Sequence, residues 1–312
     1  MALDTSNNSQ LIRSNLWTNE IKDVLQEDLM LDTCVRWITD FPDGTTLNIP
    51  TFSEMTVRNY SEGSQIQLDN PVTGNFTLTI DKYYQAGFRI TDKFKDDSFY
   101  VSQAEANFVS KVTRAVLEQK ESDIAHLQSG QTASDPNVIN GVDHRYIATG
   151  SNGVFTVADI QKAKYAHDKA KVSRTGRRAY LDPGVTYRLQ QIDNVIRQDV
   201  FGSNTRLQEG MSGMTNVGRY AGYEMFESLF LDTALAETIV ATAPNSGSKS
   251  CTAGIANMFL GEDAFIGAMR AAPDINTWYD NPTRSECHHL TIRYGLKLFR
   301  PESLVVVIND AA

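Results

Sequence analysis

The strongest constraint on the fold is a stretch that cannot bury a core of its own, GTTLNIPTFSEMTVRNYSEGSQIQLDNPVTGNFTLTID at residues 44–81. It is rich in threonine and β-branched residues, and its apolar residues Phe76, Leu78 and Ile80 alternate with threonines, which indicates a strand. Turn-forming residues at 61–64 interrupt it. We therefore predict a long hairpin or extended loop that some other surface must cover.

An unusually long helix is predicted to follow. Asp97 or Ser98 can cap its start by accepting backbone N–H bonds, and Gly130 can end it. A helix of about 30 residues is roughly 45 Å long, which exceeds the usual length in compact domains. The apolar stripe is narrow, which predicts a helix half covered by a sheet; it consists of Val101, Ala104, Phe108, Val112, Ala115, Val116, Ile124 and Leu127.

The last part of the chain, ECHHLTIRYGLKLFRPESLVVVI at residues 286–308, alternates with a period of two and then becomes wholly apolar. One face of the first strand begins with His288 and continues through leucine, isoleucine and tyrosine, whereas Cys287 and His289 lie on the other face. Two ligands on one face are too few for zinc, which takes three or four protein ligands. We predict two strands, with structural histidines and no metal.

The net charge, the cysteines and the apolar segments of the chain argue against several classes of protein. The net charge is −9, and an acidic chain is poorly suited to grip nucleic acid over a wide surface or to bind an anionic membrane. Its three cysteines, Cys34, Cys251 and Cys287, lack disulfide or zinc spacing and indicate a reducing compartment. The N-terminus does not have the pattern of a signal peptide, and no membrane span is expected.

No catalytic motif is recognisable. The glycine-rich segment at residues 210–222 lacks the lysine of a phosphate-binding loop, and no GxSxG elbow occurs. We therefore predict no catalytic residue, no metal and no cofactor. A cysteine-dependent hydrolase that uses Cys251 or Cys287 stays open as a distant alternative, because triads assemble in space rather than along the chain.

The sequence SRTGRR contains the one basic cluster, Arg174, Arg177 and Arg178. It is either a solvated loop or a surface that contacts an acidic neighbour or packaged nucleic acid. Together with an arm, a coreless hairpin and an overlong helix, this pattern is typical of a building block whose exposed parts are covered by neighbouring subunits.

The order of these elements resembles the major capsid proteins of tailed bacteriophages, which share the Hong Kong 97 capsid fold. TLNIPTFSEMTVRNYSEGSQIQLDN and FTLTIDKYYQAGFRITDKFKDDSF resemble its extended loop and the return to the long helix. NVGRYAGYEMFESLFL, at residues 216–231, resembles the axial-domain strand G-x-x-G-aromatic-x-x-x-x-S. TIRYGLKLFRPESLVVV resembles the closing pair of strands. The resemblance covers nearly the whole chain.

The resemblance implies an α+β fold in five parts, and it implies that the apolar face of the strand from His288 packs on the long helix. The parts are an N-terminal arm at 1–43, an extended loop at 44–82, a spine helix at 98–128 within a peripheral domain made of 83–146 and 285–301, and an axial domain made of 147–284 and 302–312.

The implied function is that of a major capsid protein, which self-assembles as pentamers and hexamers into an icosahedral shell around double-stranded DNA. Its location would be the virion, after assembly in the cytoplasm of a bacterial host. The implied partners are copies of itself, a portal, separate scaffolding or decoration proteins and, through non-specific contact, packaged DNA; no membrane is involved. The alternative within the fold is the shell protein of an encapsulin-like compartment.

The extended loop is expected to lie on a neighbouring subunit and to contact it through Arg58, Glu62, Ser64 and Gln65. Some members of the family link subunits covalently through a lysine in this loop. Residues 44–81 contain no lysine, and Lys82 at the base of the loop is the first to follow. We therefore expect no crosslinking of that kind.

Overall fold

The computed structural model describes residues 29–39, 44–52, 55–59, 61–63, 65, 68–97, 101–130, 137–190, 216–231, 233–234, 237–239, 249–251 and 254–310. Most of the predicted arm (1–28 and 40–43), Ser64, Ser98 and the glycines of 210–215 lie outside the described residues. No helix in the described part of the chain has the length and apolar content needed to cross a membrane.

The chain is a mixture of helices and strands. The helices are α1 (Asp92–Asp97), α2 (Val101–His126), α3 (Val157–Lys169) and α4 (Pro183–Gln190). The strands are β1 (Val35–Ile38), β2 (Thr46–Phe52), β3 (Thr73–Thr79), β4 (Lys82–Thr91), β5 (Val138–Ile139), β6 (Val142–Asp143), β7 (Arg145–Ile147), β8 (Arg178–Leu181), β9 (Asn216–Tyr220), β10 (Tyr223–Glu227), β11 (Thr233–Ala234), β12 (Glu237–Ile239), β13 (Lys249–Cys251), β14 (Gly254–Leu260), β15 (Phe265–Asp280), β16 (Ser285–Leu298) and β17 (Leu304–Asp310).

Within the described residues, four strands form a sheet in the order β1-β15-β16-β4, and helix α2 packs across one of its faces. Val116 of the helix is buried with Leu290, Ile292 and Tyr294 of β16. The predicted packing of the apolar face of the closing strand on the long helix is therefore confirmed. The burial alternates along β16 because successive side chains of a strand point to opposite faces.

A second sheet of seven strands, counted over the described residues, has the order β7-β17-β14-β8-β10-β9, with β11 pairing beside β14. All side chains from Leu304 to Ile308 are completely buried, which confirms the apolar closing strand. Helix α3 covers this sheet and begins with a capping box, in which Thr156 N donates to Asp159 Oδ2 over 2.8 Å.

The predicted hairpin is also present, since β2 and β3 pair in antiparallel register from Thr46–Thr79 to Phe52–Thr73. The predicted boundary after residue 284, however, does not follow the sheets. Strand β15, which we assigned to the axial part, pairs along its length with β16 in the four-stranded sheet. The short turn between β15 and β16 favours their pairing as a hairpin. Apolar and polar residues alternate too weakly in β15 for the sequence to predict this strand.

Two further segments pair across the predicted divisions. Strand β1 lies in the predicted arm and pairs in parallel with β15, and Arg145 and Tyr146 of β7, which we predicted within the peripheral domain, pair in the seven-stranded sheet. Both depend on pairing between residues more than 150 positions apart, which local patterns do not report.

Helix α3 ends in a turn that generates a testable effect. The N–H of Val172 donates to the carbonyl of His167 over 3.0 Å, and Lys171 adopts φ 61°. A left-handed residue at this position is usually glycine, because a side chain there is strained. Replacing Lys171→Gly should therefore raise the free energy of unfolding, by up to about 1 kcal/mol, in urea denaturation.

The matched control is Lys164→Gly, at an exposed position in the interior of the helix. There glycine should lower the free energy of unfolding by about 1 kcal/mol. Equal losses in both variants would contradict the strain at Lys171.

Candidate assembly surface

The β2–β3 hairpin and the loop at its tip carry large apolar side chains that the rest of the described chain does not cover. Their exposed fractions lie between 62% and 97%, in Phe52, Met55, Val57, Leu68 and Val72. Such a concentration of exposed apolar side chains on one protrusion marks a contact surface. These residues were not singled out from the sequence, although apolar residues in a stretch without a core were the available signal.

The base of the hairpin, in contrast, is firmly seated on the four-stranded sheet. Leu78 and Ile80 are buried against Ile266 and Ala268 of β15. A Cβ at Gly295 would collide with the backbone of Thr79, so the two strands cross in close contact there. The hairpin is thus held at its base and uncovered at its tip.

Several polar contacts also hold the base of the hairpin on the four-stranded sheet. Arg270 Nη1 donates to Gly44 O over 3.0 Å, and Lys297 Nζ donates to Thr77 O over 2.8 Å while lying 4.9 Å from the centre of the Phe76 ring. These bonds come from β15 and β16, so the orientation of the hairpin is set by the sheet.

The predicted contact residues of the loop have different surroundings. Arg58 is paired with Asp69 within the chain at 2.5 Å, and Asp69 also accepts a bond from Thr56 N over 3.0 Å. This carboxylate therefore joins the two limbs of the loop. Glu62 and Gln65 are exposed. The contact of these residues with a neighbour stays a prediction, and Ser64 lies outside the described residues.

The three arginines of the basic cluster do not form one surface, which corrects the prediction. Arg177 is only 2% exposed and donates to Asp168 Oδ1 over 2.7 Å and to the carbonyl oxygens of Ser173 and Val172. These bonds hold the loop before β8 together, and they supply the acceptors that a buried guanidinium needs for its N–H groups. Arg174 is exposed, at 84%, and Arg178 donates to Thr33 O over 2.5 Å.

Beside Arg177 lies a buried histidine. His167 Nδ1 lies 2.6 Å from the hydroxyl of Tyr223, and the Arg177 guanidinium lies 6.0 Å from the centre of the Tyr223 ring. Burial lowers the pKa of His167 to about 3, and the positive charge of Arg177 acts in the same direction. Burial also lowers the pKa of His144. Both imidazoles are therefore neutral at neutral pH.

The residues Cys287, His288 and His289 occupy the two faces of β16 as the alternation predicted. His288 stacks on Phe88 with ring centres 4.7 Å apart, and His289 meets Trp278 edge to face at 5.0 Å. The described residues contain no group of three His, Cys, Asp or Glu side chains placed to hold a metal ion.

Of the three cysteines, Cys34 is poorly suited to act as a nucleophile. Burial raises the pKa of the Cys34 thiol far above its usual range, and its Sγ donates to Leu31 O over 2.8 Å. Cys287 Sγ lies 3.9 Å from Ser285 Oγ, and the side chain of Cys251 lies outside the described part. A raised pKa suppresses the thiolate that nucleophilic chemistry needs.

Nearly the whole chain is similar in structure to solved structures from several phages. It aligns with the capsid of the cyanophage P-SCSP1u at a TM-score of 0.75 and 15% identity, covering 96% of this chain and 93% of the other. A structure of Mycobacterium phage Che8 aligns at 0.67 and 18% identity, covering 94% and 96%. The mature capsid of bacteriophage PhiM1 aligns at 0.67 and 13% identity, covering 95% and 92%.

These identities are low, so the likeness establishes the fold, which is that of phage capsid proteins. In sequence, no family model matches the chain, and no curated protein matches it.

The His167 site predicts a loss of stability in acid. In the unfolded chain the imidazole takes up a proton near pH 6.5, whereas the folded chain does so only near pH 3. Stability is therefore complete above pH 6.5 and falls as the pH drops towards 3, by about 1.4 kcal/mol per pH unit from this group. Denaturation in urea at several pH values measures the slope, which His167→Asn should reduce.

The control is Tyr223→Phe, which removes the same hydrogen bond but keeps the imidazole. It should lower stability at every pH and retain the acid slope. An unchanged slope in His167→Asn would contradict the assignment.

Proposed function

We propose that this chain is a major capsid protein, which self-assembles into the icosahedral head shell of a tailed phage. The observation that carries the proposal is a capsid fold that extends over nearly the whole chain. It leaves a hairpin seated at its base and apolar at its tip, as a subunit that must cover a neighbour requires.

Assembly follows from repeated contacts between unlike surfaces of identical chains, which close into rings of five and six. The hairpin of one subunit lies on the next and buries its apolar tip there. Burying such a side chain completely contributes about 1.5–3 kcal/mol, whereas an exposed ion pair contributes about 0–1 kcal/mol. Phe52, Val57 and Leu68 therefore matter more to assembly than Arg58 or Glu62.

The proposal assigns the two sheets to different parts of the shell subunit. The unit of α2 and the four-stranded sheet, with β1, β4, β15 and β16, is the peripheral part, and α2 is its spine. The seven-stranded sheet with α3 and α4 is the axial part. The shell encloses double-stranded DNA and belongs to the virion, and the chain assembles in the cytoplasm of the bacterial host.

Contact with DNA is sparse, because a chain of net charge −9 repels phosphate over most of its surface. Exposed Arg174 is the member of the basic cluster best placed for such a contact, or for a contact with an acidic neighbour. A portal and separate scaffolding or decoration proteins complete the particle. No observation on the described residues favours a cargo compartment or a cysteine hydrolase.

Replacing Val57→Glu together with Leu68→Glu should prevent closed shells while leaving the subunit folded, because the charged tip can no longer be buried on a neighbour. Deleting residues 55–70 should have the same effect. Electron microscopy and light scattering measure assembly, and circular dichroism checks the fold.

The matched control adds the same two charges at exposed polar positions away from the hairpin, Gln161→Glu on α3 and Gln190→Glu on α4. This variant should assemble normally. Closed shells from the hairpin variant or from the deletion would contradict the role of the tip.

Purified shells should contain no covalent links between subunits that a lysine of the extended loop forms. Residues 44–81 contain no lysine. Lys82 follows at the base of the hairpin, where its Nζ lies 3.8 Å from Asp123 Oδ1. Boiling in detergent should therefore release one band at 34.7 kDa. A ladder of multiples that persists under reducing conditions would contradict this expectation.

A further inference from the structure

We propose that the segment Met30–Ile38, here called the clip, is a conformational lock that holds the two sheets at a fixed orientation. Release of the clip would free the junction between them. This inference concerns the folded subunit itself and does not depend on the proposed function.

The clip is bound first to helix α2. Glu121 Oε2 accepts a bond from Leu31 N over 2.8 Å, and Glu121 Oε1 accepts one from Asp32 N over 3.1 Å. Glu121 is buried, and burial raises the pKa of its carboxyl although both bonds oppose this. One carboxylate thus satisfies two N–H groups that begin a helical turn.

A second set of contacts joins the clip to the same helix. Lys120 Nζ lies 2.7 Å from Asp32 Oδ1 and 4.7 Å from the centre of the Trp37 ring, while Trp37 Nε1 donates to Asp32 Oδ1 over 2.8 Å. Lys120 is almost fully buried, so this charge depends on the clip for its partner.

The clip is bound next to the seven-stranded sheet through β8. Arg178 Nη1 donates to Thr33 O, and the hydroxyl of Tyr180 lies 3.1 Å from Thr33 Oγ1. Leu31 is completely buried in a core that includes Tyr180 and Met258 of this sheet. These contacts attach one end of the clip to the seven-stranded sheet.

The other end belongs to the four-stranded sheet. Strand β1 pairs in parallel with Phe265–Ala268 of β15, and Arg36 Nη1 lies 3.1 Å from Asp263 Oδ2. The clip therefore connects both sheets and the helix within nine consecutive residues.

The contacts span a place where the chain passes from one sheet to the other. It does so at residues 261–264, between β14 and β15, and at 299–303, between β16 and β17. The two crossings lie side by side, since Gly261 N donates to Ser303 O over 2.8 Å and Phe299 N donates to Ala264 O over 2.9 Å. In the proposal, these two short adjacent crossings act as the hinge between the sheets.

Space for movement exists beside this hinge. A cleft of about 290 Å³ is lined by clip residues such as Thr33 and Arg36, by Gly261 and Asp263 of a crossing, and by Arg178. Because the clip borders this cleft and binds both sides of it, its bonds oppose any closure or opening. Loss of these bonds leaves two links between the sheets, namely the crossings and the apolar core that Ile124 and Phe265 share with Tyr180.

Hydrogen–deuterium exchange of the unassembled chain tests the lock with Glu121→Gln. The amide of the glutamine cannot accept both N–H groups, so the clip should loosen. Amides of the clip and of the crossings, including Gly261 and Phe299, should exchange at least about tenfold faster, whereas those inside β14 and β17 should not change.

The matched control is Glu118→Gln on the same helix, whose carboxylate bonds with Arg114 of that helix. It should change neither group of amides. If Glu121→Gln does not fold, the double variant Arg36→Gln and Arg178→Gln removes two exposed polar contacts of the clip. The same amides should then exchange about threefold faster.

Two results would overturn the inference. Faster exchange in the clip with unchanged crossings would make the clip an ordinary edge strand. Uniformly faster exchange in both sheets would mean that Glu121 supports only the global stability of the chain.

Discussion

The packing of helix α2 across strand β16 is the interaction on which the other parts of this structure depend. Val116 closes the apolar contact, and Asp123 accepts hydrogen bonds from the hydroxyls of Tyr84 and Tyr294, each over 2.9 Å. Burial raises the pKa of both tyrosines, so they remain donors. The same helix presents Glu121 to the clip, and the same sheet seats the hairpin. One layered contact thus positions both features.

The hairpin shows how a chain can be folded and yet incomplete. Its base is fastened by Leu78 and Ile80, because those alternating side chains face the sheet. Beyond the base, no surface of the described chain lies beneath the tip, and Val57 is almost fully exposed. A protein that leaves such side chains in water is stable as a fold but favours association, since burial of apolar area is the main driving force between subunits.

Sequence patterns predicted the elements in which apolar residues recur at the period of a helix or a strand. The long helix, the β2–β3 hairpin and the inward and outward faces of β16 all follow from a repeat of 3.6 or 2 residues. The candidate site was predicted less well. The hairpin was located, but the apolar tip was overlooked in favour of Arg58, which pairs with Asp69, and Arg177 was taken for a surface residue. Charge clusters in a sequence carry no information about which member turns inwards.

By itself, the sequence determined the order of the elements and the coreless character of residues 44–81, because local periodicity and composition specify which face of an element is apolar. Only the tertiary structure decided which strands became neighbours. Strand β15 joined β16, β1 joined β15, and Glu121 met the backbone of Leu31, 90 residues away. Such pairings depend on shape, hydrogen bonding and burial between distant residues, and no local pattern encodes them.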